Sequence, residues 1–537
     1  MAELTEPPAG VPNSAGRASW RIAGPAVILV LAFVGSRLTG LLRDVAISYQ
    51  FGTGRELDAY LAAIRLPDLV FQVAAGGAVA AAFIPIYSGY LVDGRLAEAR
   101  RLLAAIFNLV IAGLIPVLVV VWIAAPGLIG LIAPGFEPET HDLSWRLARI
   151  LIVSPLLFTL GCFATSALNA HRRFAAAAVA PTAYNLGLIF GALVLSRWLG
   201  IYGLAWGAVL GSLLYLVVQV PGAAQVGARI DLGVGLAHQG LVQLLKLMVP
   251  RTLALGAAQV NFVVVLALAS PIAGAVSALN YAWLLLMMPL GVFAMAISTA
   301  AFPRLASETA AGDEAASERT VGQVMGVILY LVIPSTFGLI VIAEPLVALL
   351  FQRGAFDQDS ATATSVALRV YAIGLVGLGA TEILARLFYA QQQARKPLIA
   401  AAAGMVVNAG LALALVGPFG SAGLAGAVAA ASLVEAVCLG AMVRAQGSTL
   451  IGAGLLWRAI RMLVASIGMA ALVWAALALM RGFLGTSLLE LLAQVAVALV
   501  VGGSSYLLFT TLAGLREAQD LRRLVAQKIA PKDSVQV

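Results

Sequence analysis

Runs of about 20 consecutive apolar residues recur along the whole 537-residue chain, and they constrain its fold more than any other feature. A run of this length crosses the hydrocarbon core of a bilayer as an α-helix, and only helices and closed barrels satisfy their backbone hydrogen bonds there. Apolar residues make up 61% of the sequence and charged residues 11%, against about 25% charged in soluble domains. The chain is therefore predicted to be an all-α polytopic membrane protein.

The apolar pattern predicts about fourteen transmembrane helices. The first seven are predicted near 21–49, 56–93, 100–124, 143–170, 175–197, 202–226 and 240–269. The second seven are predicted near 276–306, 317–343, 360–391, 397–417, 421–444, 456–480 and 485–513. Pro67, Pro250 and Pro289 are expected to kink spans two, seven and eight, because proline removes an intrahelical hydrogen bond.

An internal repeat with a nearly constant sequence offset divides these helices into two lobes. Residues 125–140 (APGLIGLIAPGFEPET) resemble residues 344–360 (EPLVALLFQRGAFDQDS), and on this register Arg149 corresponds to Arg369. Two six-helix lobes in parallel repeat would place a substrate site between them near the membrane midplane. The predicted domains are a cytoplasmic leader (1–20), an N-lobe (21–226), a C-lobe (227–444), two C-terminal helices (445–513) and a cytoplasmic amphipathic tail (514–537), with a plain solvated tail as the alternative.

Basic residues alternate between the two sides of the membrane. Counted from an inside N-terminus, the inner loops and the tail hold most of them, including Arg100, Arg101, Arg172, Arg173, Arg395, Lys396, Arg522 and Arg523. The outer loops hold few, namely Arg55, Arg197, Arg353 and Arg481. This positive-inside pattern predicts that both termini are cytoplasmic. The net charge of +8 therefore does not indicate nucleic-acid binding.

The mildly basic leader and the arginines of the first apolar segment predict no cleavable signal peptide.

The segment from Gly35 to Gln72 carries charges inside two apolar runs. They are Arg37, Arg43 and Asp44 on the first run and Asp58, Arg65 and Asp68 on the second. A charge at the bilayer centre costs about 2.5–3.5 kcal/mol on insertion scales, so these residues predict a polar cavity inside the bundle. Arg37 and Asp44 are two helical turns apart and share one face. The same spacing places Asp58, Arg65 and Gln72 on a second stripe.

These arginines suit an anionic ligand. A guanidinium is planar, keeps its proton and donates two parallel hydrogen bonds to a pyrophosphate or a carboxylate. We predict anion contacts for Arg37, Arg43, Arg65 and Arg251, with Asp44 and Asp58 holding these arginines or competing for them. The alternative is that the charges form intramolecular ion pairs between helices. Arg251, which follows Pro250, can instead extend its side chain toward the inner membrane surface.

The sequence predicts no enzymatic chemistry, cofactor or metal site. It contains neither a Gly-rich phosphate loop ending in Lys-Ser or Lys-Thr nor a zinc-type His-Glu pair. Cys162 and Cys438 offer no metal spacing and no disulfide framework. Glu382 and Arg386, four residues apart, are expected to form a structural ion pair. Glu435 with Asn408 and Asn261 could serve a cation or a proton, and polar packing between helices is the alternative.

Several short motifs resemble those of one transporter family. They are Ser36-Arg37-Leu-Thr-Gly-Leu-Leu-Arg43-Asp44, Phe51-Gly52, Asp58-Ala59, Leu66-Pro67, Ala82-Phe83-Ile84-Pro85 and Asn280-Tyr281-Ala282. In order and spacing they resemble the MurJ/MviN lipid II flippase family of the multidrug/oligosaccharidyl-lipid/polysaccharide exporter superfamily. The resemblance implies a multi-pass protein of the bacterial plasma membrane that moves lipid-linked peptidoglycan precursor by alternating access. It also implies that helices 445–513 offer a groove to a polyprenyl tail, and that membrane potential or a coupling cation, rather than ATP, supplies energy.

The resemblance carries the family's cavity residues onto Arg37, Arg43, Asp44 and Asp58, with Arg65 at the basic position before Leu-Pro. The chain departs from the family at five positions. In span two, Phe71, Gln72 and Gly76 stand where many members have a basic pair and a following glutamate. In span eight, Leu284 stands where the family's usual arginine falls, and Met287 stands where a neighbouring acid falls. The cargo therefore stays open. The alternatives are a flippase or exporter for another lipid-linked glycan and a membrane scaffold in cell-envelope assembly. Expected partners are a lipid-linked glycan and membrane lipids, and a coupling cation is left open.

Overall fold

The computed structural model describes residues 14–74, 87, 89–90, 93–227, 259, 261–448, 452–481 and 487–519. All regular secondary structure in these ranges is helical, which confirms the predicted all-α membrane class. Within them, nine helices are long and apolar enough to cross a bilayer, or ten when one bent pair counts as a single span. The count of fourteen stays a prediction with which these helices are consistent.

The first half of the chain contributes ten described helices and one π-helical turn. They are α1 (Ser14–Phe51), α2 (Arg55–Ala63), α3 (Arg65–Ala74), α4 (Leu96–Ile132), α5 (Pro138–Leu151), α6 (Ser154–Ala170), α7 (Phe174–Phe190), the π-turn Gly191–Leu195, α8 (Ser196–Leu199), α9 (Ile201–Val217) and α10 (Val220–Gln225). Helices α1 and α4 are much longer than the segments predicted for spans one and three.

The second half contributes eight described helices and a second π-helical turn. They are α11 (Ala275–Pro289), the π-turn Leu290–Met295, α12 (Ala296–Ala310), α13 (Glu314–Phe351), α14 (Gln358–Ile373), α15 (Leu375–Ala390), α16 (Arg395–Ala445), α17 (Ala453–Arg481) and α18 (Leu488–Leu512). Residues 516–519 are again helical, at the start of the predicted amphipathic tail.

Proline and glycine divide several predicted spans. Span two breaks at Ile64, just before Pro67, because the proline ring excludes a helical carbonyl four residues earlier. The tenth span bends by 45° between α14 and α15. Predicted spans eleven and twelve form the long helix α16, which is interrupted at Gly420 by a non-helical φ of 56° and ψ of −134°. The breaks thus fall where backbone hydrogen bonding or chirality forbids a regular helix.

The backbone itself carries the internal repeat. Arg172 and Gln392, which correspond in the repeat, have φ values of 57° and 58°. Gly200 and Gly420 have the same separation in sequence and φ values of 54° and 56°. A non-glycine residue in the left-handed region is uncommon, so the pairing of Arg172 with Gln392 is a specific match. These positions support the duplication predicted from sequence.

The chain forms two compact units that differ from the predicted lobes. The first comprises Met1–Ile47, Ala63–Leu128 and Ser144–Gln259, and the second comprises Ser48–Ala62, Ile129–Leu143 and Val260–Val537. Inside the first unit, Gly187 faces Gly211, and Gly191 faces Gly207, where α7 and its π-turn meet α9. A Cβ atom on any of these glycines would overlap the opposite backbone, so small residues set this close helix contact. The boundaries of the predicted lobes stay a prediction.

We predict that Gly420→Ala destabilises the protein by about 1–3 kcal/mol, because its φ and ψ lie in a region that only glycine enters without strain. The measurement is thermal unfolding of the purified protein in detergent. Gly410→Ala is the matched control on the same helix, since nothing lies within 4 Å of its added Cβ. There alanine should stabilise the helix by up to about 1 kcal/mol. Equal melting temperatures for the two variants would contradict the prediction.

Candidate functional site

Arg43 lies inside the apolar helix α1 and is held by two other side chains. Its Nη2 is 2.8 Å from Asp44 Oδ1, and its Nε donates to the same oxygen at 2.9 Å. Its Nη1 donates to Asn185 Oδ1 at 3.1 Å. The side chains of Arg43 and Asp44 remain 25% and 13% exposed. The guanidinium is therefore fixed in place but still accessible to a ligand.

Asn185 of α7 was not predicted as a site residue. It is buried, and its Nδ2 donates to Ser36 O at 3.2 Å and to Thr39 Oγ1 at 3.3 Å, so it binds α1 at three points. Gly40 lies beside it, and a Cβ at Gly40 would make an ordinary van der Waals contact, 3.6 Å from the amide nitrogen. The sequence signal was an amide in an otherwise apolar run. Because Asn185 is 142 residues from Arg43, no local spacing connects the two residues.

Arg37 lies on the same helix, roughly 21 Å from its C-terminal end at Phe51. It is exposed, and its guanidinium lies over the ring of Phe33 at 5.3 Å from the centroid. Among the described residues it forms no ion pair with a carboxylate. Within the described ranges its positive charge is thus compensated by a cation–π contact, which leaves its hydrogen-bond donors available to an anion.

The second predicted stripe contains Arg65 and Gln72 of α3. Arg65 begins the helix directly after the break at Ile64 and is half-buried. Gln72 accepts a hydrogen bond of 2.7 Å from Gln259 Nε2, which ties α3 to a residue near the end of the first compact unit. Asp68, one turn after Arg65, was noted as a charge in the sequence but was not placed in the site.

The contacts of Asp58 require a correction to the role predicted for it. Asp58 is 1% exposed and holds no arginine among the described residues. Its Oδ2 accepts from the backbone N–H of Gly274 at 2.7 Å, and its Oδ1 accepts from that of Ser277 at 2.8 Å. These N–H groups begin helix α11, where they have no intrahelical acceptor. Asp58 therefore caps a helix N-terminus, and its negative charge also opposes the positive end of the helix dipole.

The positions that depart from the family pattern contribute no cation. Phe71 packs on Phe158 with ring centroids 5.6 Å apart, and Leu284 and Met287 are half-buried in α11. Arg251, the proposed replacement, lies outside the described residues. Among the described residues, the positive charge of the candidate site comes from Arg37, Arg43 and Arg65, all in the first compact unit.

The polar groups of the second unit make a separate set of contacts. Arg386 forms the predicted ion pair with Glu382, and its Nη2 also donates to Thr299 Oγ1 at 3.0 Å. Asn408 donates to Asn261 Oδ1 at 2.5 Å. No group of three or more His, Cys, Asp or Glu side chains suited to a metal occurs in the described part of the chain.

The fold matches solved membrane transporters. The structure described as "Lipid II flippase MurJ, inward closed conformation" aligns with a TM-score of 0.76 and 24% identity over 90% of this chain and 98% of that chain. An inward-facing multidrug resistance MATE family transporter of the MOP superfamily aligns with a TM-score of 0.67 and 16% identity, over 79% and 98% of the two chains. At these identities the matches establish the fold. The protein therefore belongs to the class of polytopic helical membrane proteins that share this fold.

Sequence comparison identifies the family. The family model "Lipid II flippase MurJ" matches residues 47–494. The "Lipid II flippase MurJ" of Burkholderia cenocepacia is 31% identical over 77% of this chain and 82% of its own length. The "Probable lipid II flippase MurJ" of Rhizobium tropici is 28% identical over 93% and 95% of the two chains. The chain belongs to the MurJ lipid II flippase family, which confirms the resemblance seen in its motifs.

We predict that Asp58→Ala lowers stability, because each buried backbone N–H left without an acceptor costs about 1–3 kcal/mol. Asp58→Asn should lose less, since its amide oxygen still accepts one of the two hydrogen bonds. Thermal unfolding of the purified variants measures the effect. Asp93→Ala, at an exposed turn residue, is the control. An unchanged melting temperature for Asp58→Ala would show that the carboxylate is not a structural cap.

Proposed function

We propose that this protein moves lipid II, the undecaprenyl-pyrophosphate-linked peptidoglycan precursor, from the inner to the outer leaflet by alternating access. The observation that carries the proposal is the network of Arg43, Asp44 and Asn185, which keeps a guanidinium accessible inside an apolar helix. Such a group is costly to retain in a span, and anion binding is a function that explains the cost. Membership of the MurJ family supports the same conclusion.

The arginines differ in how they would meet the pyrophosphate. Arg37 has no carboxylate partner among the described residues, so it can bind the first phosphate without breaking an ion pair. Arg43 must exchange Asp44 for the ligand, while Asn185 keeps the guanidinium oriented. Release is then favoured by Asp44 returning to Arg43. Because Asp44 competes with the headgroup for Arg43, the headgroup can be bound and then released rather than held tightly.

The lipid portion of the cargo needs an apolar surface. A cavity of about 390 Å³ lies between α17 and α18, lined largely by apolar side chains such as Val464 and Phe509. Arg461, which also lines the cavity, lies over Trp457 and donates to Ala513 O at 3.1 Å. We propose that the polyprenyl chain occupies this groove, as the sequence resemblance implies.

A second candidate is the transport of another lipid-linked glycan. The observation that favours it is the apolar or neutral character of Phe71, Gln72 and Leu284, where the family pattern has basic residues. A site with fewer cations binds a less acidic headgroup. Failure of the unaltered protein to replace a lipid II flippase, with normal insertion into the membrane, would favour this cargo over lipid II.

We predict that Arg37→Ala and Arg43→Ala each abolish growth rescue of a bacterium depleted of its own lipid II flippase, because each removes donors for the pyrophosphate. Growth is scored beside immunoblots of the membrane fraction, which establish that both variants reach the membrane. Arg101→Ala, at an exposed residue of α4, is the control and should rescue fully. Full rescue by both cavity variants would remove the proposed site.

We also propose that both termini are cytoplasmic, as the distribution of basic residues indicates. In a background with Cys162 and Cys438 replaced by serine, a cysteine at Ser534 should react with a membrane-impermeant maleimide only after cell lysis. A cysteine at Glu139, exposed in a predicted outer loop, should react in intact cells. Labelling of Ser534→Cys in intact cells would contradict this orientation.

A further inference from the structure

A cavity of about 250 Å³ lies inside the first compact unit, between α3, α5, α6, α7 and α9. Its lining is mostly apolar and aromatic, with Phe71 and Phe158 among its walls. Three polar side chains line it as well, namely Asp68, Ser154 and Tyr184. Neither the fold nor the pyrophosphate site explains a carboxyl group at this place.

The polar groups of the cavity are poorly satisfied. The Asp68 carboxyl makes no hydrogen bond and no ion pair with any residue in the described ranges. Ser154 Oγ is buried and also has no hydrogen-bond partner among the described residues. A carboxylate without donors is costly in a low-dielectric setting, whereas a protonated carboxyl largely avoids this cost.

The charges around Asp68 come from two helices. Arg65, one turn earlier on α3, is the charged residue whose field acts on the Asp68 carboxyl. Tyr184 of α7 lies within the combined field of Arg43, Asp44 and Asp68. The side chains that α5, α6 and α9 contribute to the cavity are not titratable; they are Leu151, Ser154, Pro155, Phe158 and Ala208. Burial in the apolar cavity disfavours the charged form of the Asp68 carboxyl, and the positive charge of Arg65 opposes that effect, so the protonation of Asp68 responds to whether the Arg65 charge is available to it.

We propose that Asp68 takes up one proton when the pyrophosphate headgroup binds at Arg65, and releases it when the headgroup leaves. An anion at Arg65 compensates the guanidinium charge and so withdraws the support for an ionised Asp68. The carboxylate then accepts a proton from the aqueous phase and becomes a neutral carboxyl group. This inference rests on the proposed function, and it names Asp68 as the group that carries a proton together with the headgroup.

Linkage gives the proposal a measurable consequence. If binding takes up a proton, lower pH must strengthen binding, by up to about tenfold per pH unit where Asp68 titrates. The number of protons is obtained by calorimetric titration of lipid II into the full-length protein in nanodiscs, at one pH in two buffers of different ionisation enthalpy. We expect uptake of about one proton by the unaltered protein. We expect Asp68→Asn to bind lipid II without measurable uptake and Asp68→Glu to retain it.

Glu435→Gln is the matched control. Glu435 is a second carboxyl group inside an apolar helix, in the other compact unit, and it makes no hydrogen bond within the described part of the chain. Its removal should leave proton uptake unchanged. Three results would overturn the inference while leaving the proposed function intact: binding without uptake in the unaltered protein, full uptake in Asp68→Asn, or uptake lost in Glu435→Gln alone. Absence of lipid II binding by the unaltered protein would instead overturn the proposed function, and this inference with it.

Discussion

Arg43 is permanently charged and sits in a helix that must lie in hydrocarbon, so its neighbours have to satisfy it. Asp44 supplies the opposite charge from the same helix, and Asn185 supplies an acceptor from α7. Because Asn185 also binds Ser36 and Thr39, the side chain that stabilises the guanidinium is the one that fixes α1 against α7. The same residues therefore form the contact between α1 and α7 and the candidate binding site, so a change in one alters the other.

The two halves of the chain share backbone geometry but differ in how their charged side chains are compensated. Left-handed residues recur at one constant offset in the sequence, yet the equivalent arginines Arg149 and Arg369 are neutralised in different ways. Arg369 lies 3.4 Å from the Glu344 carboxylate, whereas Arg149 lies over the rings of Trp122 and Trp145. Backbone geometry follows from turns and close packing, which tolerate many side chains. Charge compensation depends on particular partner side chains, so the two halves differ in it while they share the backbone geometry.

The sequence predicted what local patterns control. Charge within apolar runs identified Arg37, Arg43 and Asp44, and Pro67 placed the break of span two within a few residues. Local patterns do not reveal contacts between residues that are far apart in the sequence. The spacing of Asp58 and Arg65 suggested that they share a site. The contacts of Asp58 are instead with the start of α11, more than 200 residues later in the chain. Asn185 was missed for the same reason, since its role depends on the packing of α7 against α1.

The charge balance of the first unit explains why a neutralisable carboxyl group is useful there. The charges of Arg43 and Asp44 cancel, as do those of Arg65 and an ionised Asp68. Among the described members of the predicted set, this leaves Arg37 as the positive residue. An arriving pyrophosphate would then add more negative charge than the site can offset. A proton on Asp68 makes the charge of Arg65 available to the ligand, so headgroup and proton together form a less charged assembly. Because the cost of burying an ion in a low-dielectric medium rises steeply with its uncompensated charge, this assembly is the easier one to carry across the membrane.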